Sequence, residues 1–361
     1  MKDGRSVSVR SAQNSKFEEL EERISGVIAA AEPDSFDELA LDVFRFQREF
    51  NPPYDQYCRL LGVGESPAGW REMPALFQAA FKHASLRVFP EEEEIAAFRT
   101  SGTTGEGYGV HHFCSLRLYE EAILRGWDLL GAPRLPQIIL VPSPSAAPHS
   151  SLSHMMGTLK ARARGGTQHW CINTDGTLEL DGLRGVLEEF RTAGQPVLLL
   201  GTALAFLHWF EALKGESVAL SRGSLAFETG GYKGSGRTLS KEALYEMFHQ
   251  RLGLAAHDVI NEYGMTELSS QCYARGLGLP HVAPPWMRAI VVNPATGREV
   301  ADGETGVLRI YDLANLGSVF AIQTRDLAIR RGGDFELLGR DPGALPRGCS
   351  RAADEMLSAS S

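Results

Sequence analysis

From Phe17 the apolar residues Phe17, Leu20, Ile24, Val27 and Ile28 recur at the spacing of one helical face, so an amphipathic helix is expected there. A second helix is expected from Ser35: Ser35-Phe36-Asp37-Glu38 has the form of a capping box, and Leu39, Leu41, Phe44 and Phe46 follow it. Asn51-Pro52-Pro53 ends that helix, since proline has no amide hydrogen and restricts its neighbour. Residues 1–15, rich in serine, arginine and lysine, read as a mobile leader. Residues 1–95 are therefore expected to form a mainly helical N-terminal layer. The acidic run Glu91 to Glu94 closes it as a solvated face or a helix start.

After Phe98 the pattern changes. Gln137 to Val141 and Pro196 to Leu200 are short apolar runs bounded by turn residues, the signature of strands buried on both faces. The second passes through Gly201-Thr202 into an apolar helix around Leu204, Leu207 and Phe210. Leu225 to Phe227 runs into Glu228-Thr229-Gly230-Gly231, a helix is expected over 240–252, and Asp258 to Asn261 is again strand-like. Strands alternating with helices predict an α/β fold with a largely parallel sheet covered by helices, here assigned to residues 96–285. Beyond Pro285 the segments shorten to Ala289–Val292, Val307–Tyr311, Val319–Gln323 and Phe335–Leu338, joined by turns such as Asn293 to Gly297. Residues 286–361 are accordingly expected to hold a smaller antiparallel β region and a short C-terminal tail. Pro142 to Ser151 reads as a surface loop.

Composition narrows the function class. The 361 residues carry 36 basic and 45 acidic side chains, a net charge of −9, which argues against broad nucleic-acid binding. The N-terminus lacks an apolar signal-peptide core, and no apolar run is long enough to span a bilayer. Five cysteines, Cys58, Cys114, Cys171, Cys272 and Cys349, form no CxxC pair, so neither a disulfide framework nor a structural zinc site is expected. A cytoplasmic compartment is the expectation.

Three segments carry candidate chemistry. Thr100-Ser101-Gly102-Thr103-Thr104-Gly105-Glu106-Gly107 is too small and polar for a core. Its glycines let backbone amides approach a polyanion and its hydroxyls add neutral donors, which suits a phosphate-cradling loop, or else a flexible turn. It lacks the Gly-Lys-Ser/Thr ending of a Walker A loop. Asn261-Glu262-Tyr263-Gly264-Met265-Thr266-Glu267 follows a strand-like run. Its tyrosine can stack on a base and its later carboxylate can hold Mg²⁺ beside a nucleotide phosphate; Thr266 with Glu267 also fits a helix N-cap. Thr324-Arg325-Asp326-Leu327, followed by Gly339-Arg340, offers an acid for ribose hydroxyls and a nearby guanidinium.

In this order and spacing the three segments resemble the adenylate-forming (acyl-activating) superfamily, whose motifs read (S/T)SGTTG, YGxTE, T-D and G-R. The resemblance implies that chain's large N-terminal domain as the fold, ATP as cosubstrate and Mg²⁺ as cofactor. It implies that Ser101, Gly102, Thr103, Thr104 and Gly105 hold the ATP phosphates and that Tyr263 lines the adenine. Thr266 would contact phosphate, Glu267 would bind Mg²⁺, and Asp326 and Arg340 would bind the ribose. Gly230, Gly231, Glu262 and Gly264 fall in the same nucleotide-binding set. Gly230-Gly231-Tyr232-Lys233-Gly234, Ser150-Ser151-Leu152 and the stretch from Leu338 to Ser350 further resemble the acyl-protein synthetases, which include the synthetase subunit of the fatty-acid reductase complex of luminous bacteria. That likeness covers roughly residues 80–355 and implies activation of a carboxylic, fatty acid as its adenylate. The acyl group then passes to a protein cysteine, with a reductase, acyltransferase or carrier protein as partner.

Two departures stand out. The wider superfamily has a lysine shortly after the phosphate loop; here Glu106 to Val110 supplies none, leaving Mg²⁺, Lys233, His111 or His112 to neutralise phosphate charge. The mobile C-terminal domain that carries a catalytic lysine in the superfamily is expected to be largely absent. Cys349, beside Arg347, matches the position of the acylated cysteine in related synthetases, and a neighbouring cation favours a thiolate. Transfer to coenzyme A, a carrier protein or an amine, and a non-catalytic nucleotide- or acyl-binding module, are the alternatives.

Overall fold

The computed structural model describes residues 3–32, 35–100, 107–173, 175–230 and 239–340, with the backbone alone at 3–9 and 340. In chain order the helices are α1 (Asp3–Ala30), α2 (Phe36–Phe50), α3 (Pro52–Leu60), α4 (Arg117–Leu130), α5 (Ser151–Thr158), α6 (Leu180–Thr192), α7 (Ala203–Ala212) and α8 (Lys241–Leu252). The strands are β1 (Leu76–Phe77), β2 (Ala96–Arg99), β3 (Val110–Phe113), β4 (Gln137–Leu140), β5 (Gln168–Trp170), β6 (Leu198–Thr202) and β7 (Leu225–Thr229). They continue as β8 (Val259–Tyr263), β9 (Cys272–Arg275), β10 (Met287–Val292), β11 (Thr305–Asp312), β12 (Ala321–Arg331) and β13 (Asp334–Arg340). The chain divides into two compact units: Met1–Arg125, Thr266–Ser270 and Ala283–Ser361 in one, Gly126–Met265 and Gln271–Val282 in the other.

The second unit is built on a sheet of order β5-β4-β6-β7-β8-β9, parallel except for β9. Strands β4, β7 and β8 are buried along their whole length, with polar Gln137, Glu228, Asn261 and Glu262 included, so none alternates between buried and exposed positions. On one face Ile138, Leu140, Leu199, Ala226 and Val259 pack against Leu183 and Leu187 of α6, Phe206, Trp209 and Phe210 of α7, and Leu244, Phe248 and Leu252 of α8. At the centre of this layer the Phe248 ring meets Phe206 at 4.8 Å and Phe210 at 5.2 Å, both edge-on. Trp127 packs against Phe227 and Tyr273. Helix α8 has both expected ends: the Ser240 side chain accepts from the Ala243 amide, and Gly253 closes it with φ +69, a left-handed conformation that favours glycine.

In the first unit β10, β11, β12 and β13 form the expected antiparallel ladder, and β1 adds to it in parallel, pairing Leu76 with Ile322. The α/β class with parallel and antiparallel parts is therefore the observed one. Differences are local. The polar leader is helical from Asp3, held where Arg10 pairs with Glu93 at 2.6 Å and Gln13 Nε2 donates to the Val88 carbonyl. Ser35 stands at the start of α2 without a side-chain cap bond, so the expected capping box does not form. Helix α2 ends at Phe50 as expected, and Pro52 and Pro53 open α3, since the first turn of a helix needs no amide donors; the Asn51 side chain caps it.

Helix α2 buries Phe36, Leu39, Val43, Phe44 and Phe46, and rings run from it to the sheet: Phe36 on Trp70, then Trp70 on Tyr311 at 4.9 Å. The same face carries a polar exception. Buried Gln47 donates to the Asn315 and Leu316 carbonyls and accepts from the Phe320 amide, and Asn51 Nδ2 donates to the Ser318 carbonyl at 3.0 Å. These bonds supply side-chain partners to the backbone of a buried loop between β11 and β12.

The aromatic layer beneath the parallel sheet sets a stability expectation. Phe248→Ala removes a fully buried ring from a site closed by two other rings, at a cost of about 3–5 kcal/mol. A urea midpoint within error of wild type would show that the layer does not stabilise the unit.

Candidate functional site

Strands β2 and β3 form an antiparallel pair joined through the glycine- and threonine-rich string. Ser101, Gly102, Thr103, Thr104 and Gly105 lie outside the described residues, but the ends of the connection are fixed. The Thr100 amide donates to the Gly109 carbonyl at 2.9 Å, and the Gly109 amide donates back to Thr100 Oγ1 at 2.9 Å. A Cβ at Gly109 would stand 3.0 Å from Thr100 Cγ2, so this clasp is tight enough to favour glycine. Along β3 burial alternates, turning His111 and Phe113 inward and leaving Val110 and His112 half-buried.

The inward histidine reaches the second motif. His111 Nδ1 lies 2.9 Å from the Thr266 carbonyl and its Nε2 lies 2.8 Å from Ser318 Oγ. A carbonyl only accepts, so Nδ1 carries the proton and Nε2 accepts from the serine hydroxyl. Burial holds the ring neutral, with its pKa pulled down to about 4. His111 therefore brings no positive charge to a phosphate. His112 is engaged by Glu94 at 2.5 Å, and Arg87 approaches the same carboxylate.

Beyond Thr266 the segment is held residue by residue. Asn315 Nδ2 donates to the Glu267 carbonyl at 2.8 Å. The buried Asp312 carboxylate accepts from the Ser269 and Ser270 amides, from Ser270 Oγ and from the Ala314 amide, at 2.7–3.1 Å. Ser270 Oγ in turn accepts from Trp286 Nε1. Desolvation raises Asp312 to about 6 against these donors. Glu267 itself is 8% exposed. Among the described residues no group of three His, Cys, Asp or Glu side chains is placed to hold a metal. A carboxylate such as that of Glu267 is an oxygen donor of the kind hard cations take.

In the same unit Asp326 on β12 and Arg340 on β13 are register partners, so the two candidate ribose residues are brought side by side. The Asp326 amide donates to Thr324 Oγ1, whose hydroxyl donates to the Leu308 carbonyl.

The second unit carries the rest. Thr229 on β7 faces Glu262 on β8 in parallel register, so Gly230 and Tyr263 emerge together at the carboxyl ends of adjacent strands, where ligands of α/β sheets bind. Thr229 Oγ1 donates to the Glu262 carboxyl group, which burial raises to about 7. A Cβ on Gly264 would fall 2.1 Å from Glu262 Oε1, so glycine there leaves the carboxyl its place. Tyr263 meets the His281 ring edge-on at 6.3 Å. Beneath lies a buried network absent from the sequence reading. Asn261 Nδ2 donates to Glu228 Oε1 at 2.5 Å, while Asn261 Oδ1 accepts from Lys241 Nζ and His281 Nε2. Burial raises the Glu228 carboxyl, and Lys241 at 3.6 Å offsets part of that.

Gly231, Lys233 and Cys349 lie outside the described residues, as does the Arg340 side chain. Of the other cysteines Cys58, Cys171 and Cys272 are buried and Cys114 is half-buried. Burial pushes the Cys58 and Cys114 thiols up to about 12 and Cys171 to about 11. The sequence reading named His111 only as a possible cation for phosphate, which its burial as a neutral ring corrects, and the supports Asp312, Asn315 and Ser318 escaped it.

The fold so defined is that of the large domain of adenylate-forming enzymes. No protein-family model matches the chain. The long-chain-fatty-acid–luciferin-component ligase of Vibrio harveyi is 18% identical over 335 residues, 89% of this chain and 88% of its own. ATP-bound MatB from Rhodopseudomonas palustris superposes with a TM-score of 0.51 at 17% identity, over 78% of this chain and 51% of its own, so this chain spans about half of that one. 2-Hydroxyisobutyryl-CoA ligase, solved with 2-HIB-AMP and CoA, superposes with a TM-score of 0.61 at 14% identity over 88% and 78%. The curated relative and the shared fold bear out the resemblance to the adenylate-forming superfamily. Among the described residues no helix is long and apolar enough to cross a membrane.

The buried imidazole gives this site a pH signature. Between its ordinary value of 6.5 and its folded value near 4, His111 binds a proton in the unfolded chain but not in the folded one, so its contribution is lost as pH falls through that window. Glu262 and Asp312, both raised, act in the opposite sense. The stability difference between wild type and His111→Gln should therefore shrink by about 3 kcal/mol from pH 7 to pH 4. A pH-independent difference in urea titrations would contradict a neutral, buried His111.

Proposed function

We propose that this chain activates a carboxylic acid with ATP and Mg²⁺ and passes the acyl group to a protein cysteine thiol. The observation that carries the reading is the segment from Thr266 to Ser270 at the end of the YGxTE motif, which carries Glu267 and is pinned by buried hydrogen bonds. Such support is what a site needs when its task is positioning and charge neutralisation rather than covalent chemistry.

In the first step a substrate carboxylate oxygen attacks the α-phosphorus of ATP in line, and pyrophosphate leaves with the electron pair of the broken P–O bond. The product is an acyl-adenylate, a mixed anhydride. In the second step a thiolate attacks the acyl carbonyl carbon, AMP departs, and a thioester forms. Tyr263 lines the adenine, with Gly230, Gly231, Glu262 and Gly264 around the base. Asp326 and Arg340 bind the ribose hydroxyls, and Ser101, Gly102, Thr103, Thr104, Gly105 and Thr266 donate to phosphate oxygens. Glu267 holds Mg²⁺, whose charge neutralises phosphate oxygens when bound. Lys233 is the cation this reading assigns to the phosphates, since His111 is neutral and His112 is engaged by Glu94.

The acceptor in this reading is Cys349. Three of the other thiols are held protonated at neutral pH by burial, and a protonated thiol is a poor nucleophile. A fatty acid is the proposed substrate, supported by the name of the curated relative. A protein that receives the acyl group is the proposed partner, and the cytoplasm the proposed compartment.

Incubation with ATP, Mg²⁺ and a fatty acid should give an acylated protein whose adduct hydroxylamine removes. Cys349→Ser should lose that adduct by mass spectrometry while still forming acyl-adenylate. An adduct of wild-type yield on Cys349→Ser would overturn the assignment of the acceptor.

A further inference from the structure

The peptide groups on either side of Glu267 each accept from a buried side chain. The Thr266 carbonyl accepts from His111 and the Glu267 carbonyl accepts from Asn315. Because a peptide group is planar, fixing the Thr266 carbonyl also fixes the Glu267 nitrogen, and fixing the Glu267 carbonyl fixes its own carbonyl carbon. The N–Cα–C frame of Glu267 is then set, and with it the direction in which the side chain leaves the backbone. We propose that His111 is a positioning residue that aims the Glu267 carboxylate, acting from the strand that leaves the phosphate-loop hairpin. This rests on the reading of Glu267 as the Mg²⁺ ligand of an adenylating enzyme.

Histidine suits the task for physical reasons. Its ring is wedged between Phe81, edge-on at 5.6 Å, and Phe113 at 4.2 Å, so it has little freedom to swing. The Thr266 carbonyl only accepts, so the ring carries its proton at Nδ1, and Ser318 Oγ donates to the Nε2 left as acceptor. Ser318 lies in the loop that Asn51 and Gln47 hold from helix α2. On the other side, β3 returns directly from the clasp between Thr100 and Gly109. One side chain therefore ties the base of the phosphate-loop hairpin to the carboxylate segment within a single compact unit. A displacement at either end is transmitted to the other through a bond of 2.9 Å.

Two substitutions separate aiming from packing. His111→Phe keeps an aromatic ring between Phe81 and Phe113 but has no donor. His111→Asn loses the ring and keeps an amide nitrogen near the place of Nδ1. ATP binding measured by calorimetry with and without Mg²⁺ reads the cation-dependent gain in affinity, and single-turnover formation of acyl-adenylate reads the chemical step. The expected result is that His111→Phe loses at least tenfold of the Mg²⁺-dependent gain and of the single-turnover rate. His111→Asn should keep both within threefold of wild type, whichever variant melts lower. If His111→Phe keeps both within threefold of wild type, or if His111→Asn loses as much as His111→Phe, the Nδ1 donor does not aim Glu267 and the inference is overturned. If wild type binds ATP but forms no acyl-adenylate with any acid, the enzymatic reading fails, and the Mg²⁺-dependent gain still decides the role of His111.

Discussion

The Asp312 carboxylate, sealed from solvent, accepts four hydrogen bonds from Ser269, Ser270 and Ala314, and much of the first unit is arranged so that it can. An ionised group in that position is costly to desolvate and tolerable only when its lone pairs are filled. Filling them fixes the turn that follows Glu267, while Asn315 and His111 fix the backbone on either side of it. The loop that supplies Asn315 and Ser318 is itself secured by Gln47 and Asn51 of the helical layer. A carboxylate suited to a cation is thus presented on a backbone with few degrees of freedom, and residues distant in sequence share the task.

The second unit meets a different constraint. Its strands β4, β7 and β8 are buried along their whole length, so a ligand meets them at their ends, and Gly230, Glu262 and Tyr263 fall there. Below them Glu228, Asn261, Lys241 and His281 form a network in which Asn261 has one donor and one acceptor role, set by its charged neighbours. A fixed Asn261 and a fixed Glu262 leave the following tyrosine little choice of direction. The chain passes from this unit to the first between Met265 and Thr266, inside the motif itself.

Much of this was legible in the sequence. Short apolar runs announced β4 and β6, strand-like runs announced β7 and β8, and the shorter segments joined by turns beyond Pro285 announced the antiparallel ladder. The order of the glycine-rich string, the tyrosine-glutamate motif and the late aspartate and arginine pointed to the adenylate-forming fold. What could not be read were the supports. Gln47 sits on the apolar face of a helix, Asn315 and Ser318 in a loop far from Glu267 in sequence, and Asp312 at the end of a strand. Their value lies in contacts between distant residues, which neither period nor spacing records. The helical course of the N-terminal leader escaped for the same reason, since Glu93 and Val88 anchor it from outside the helix.

Carboxylate-dependent exchange of labelled pyrophosphate into ATP, run with Mg²⁺ over fatty, aryl and amino acids, tests the central claim most directly. The account predicts exchange only when a carboxylic acid of one class is present, and its loss on Glu267→Gln while the protein remains folded. No exchange with any acid from protein that binds ATP, or exchange undiminished by Glu267→Gln, would contradict it.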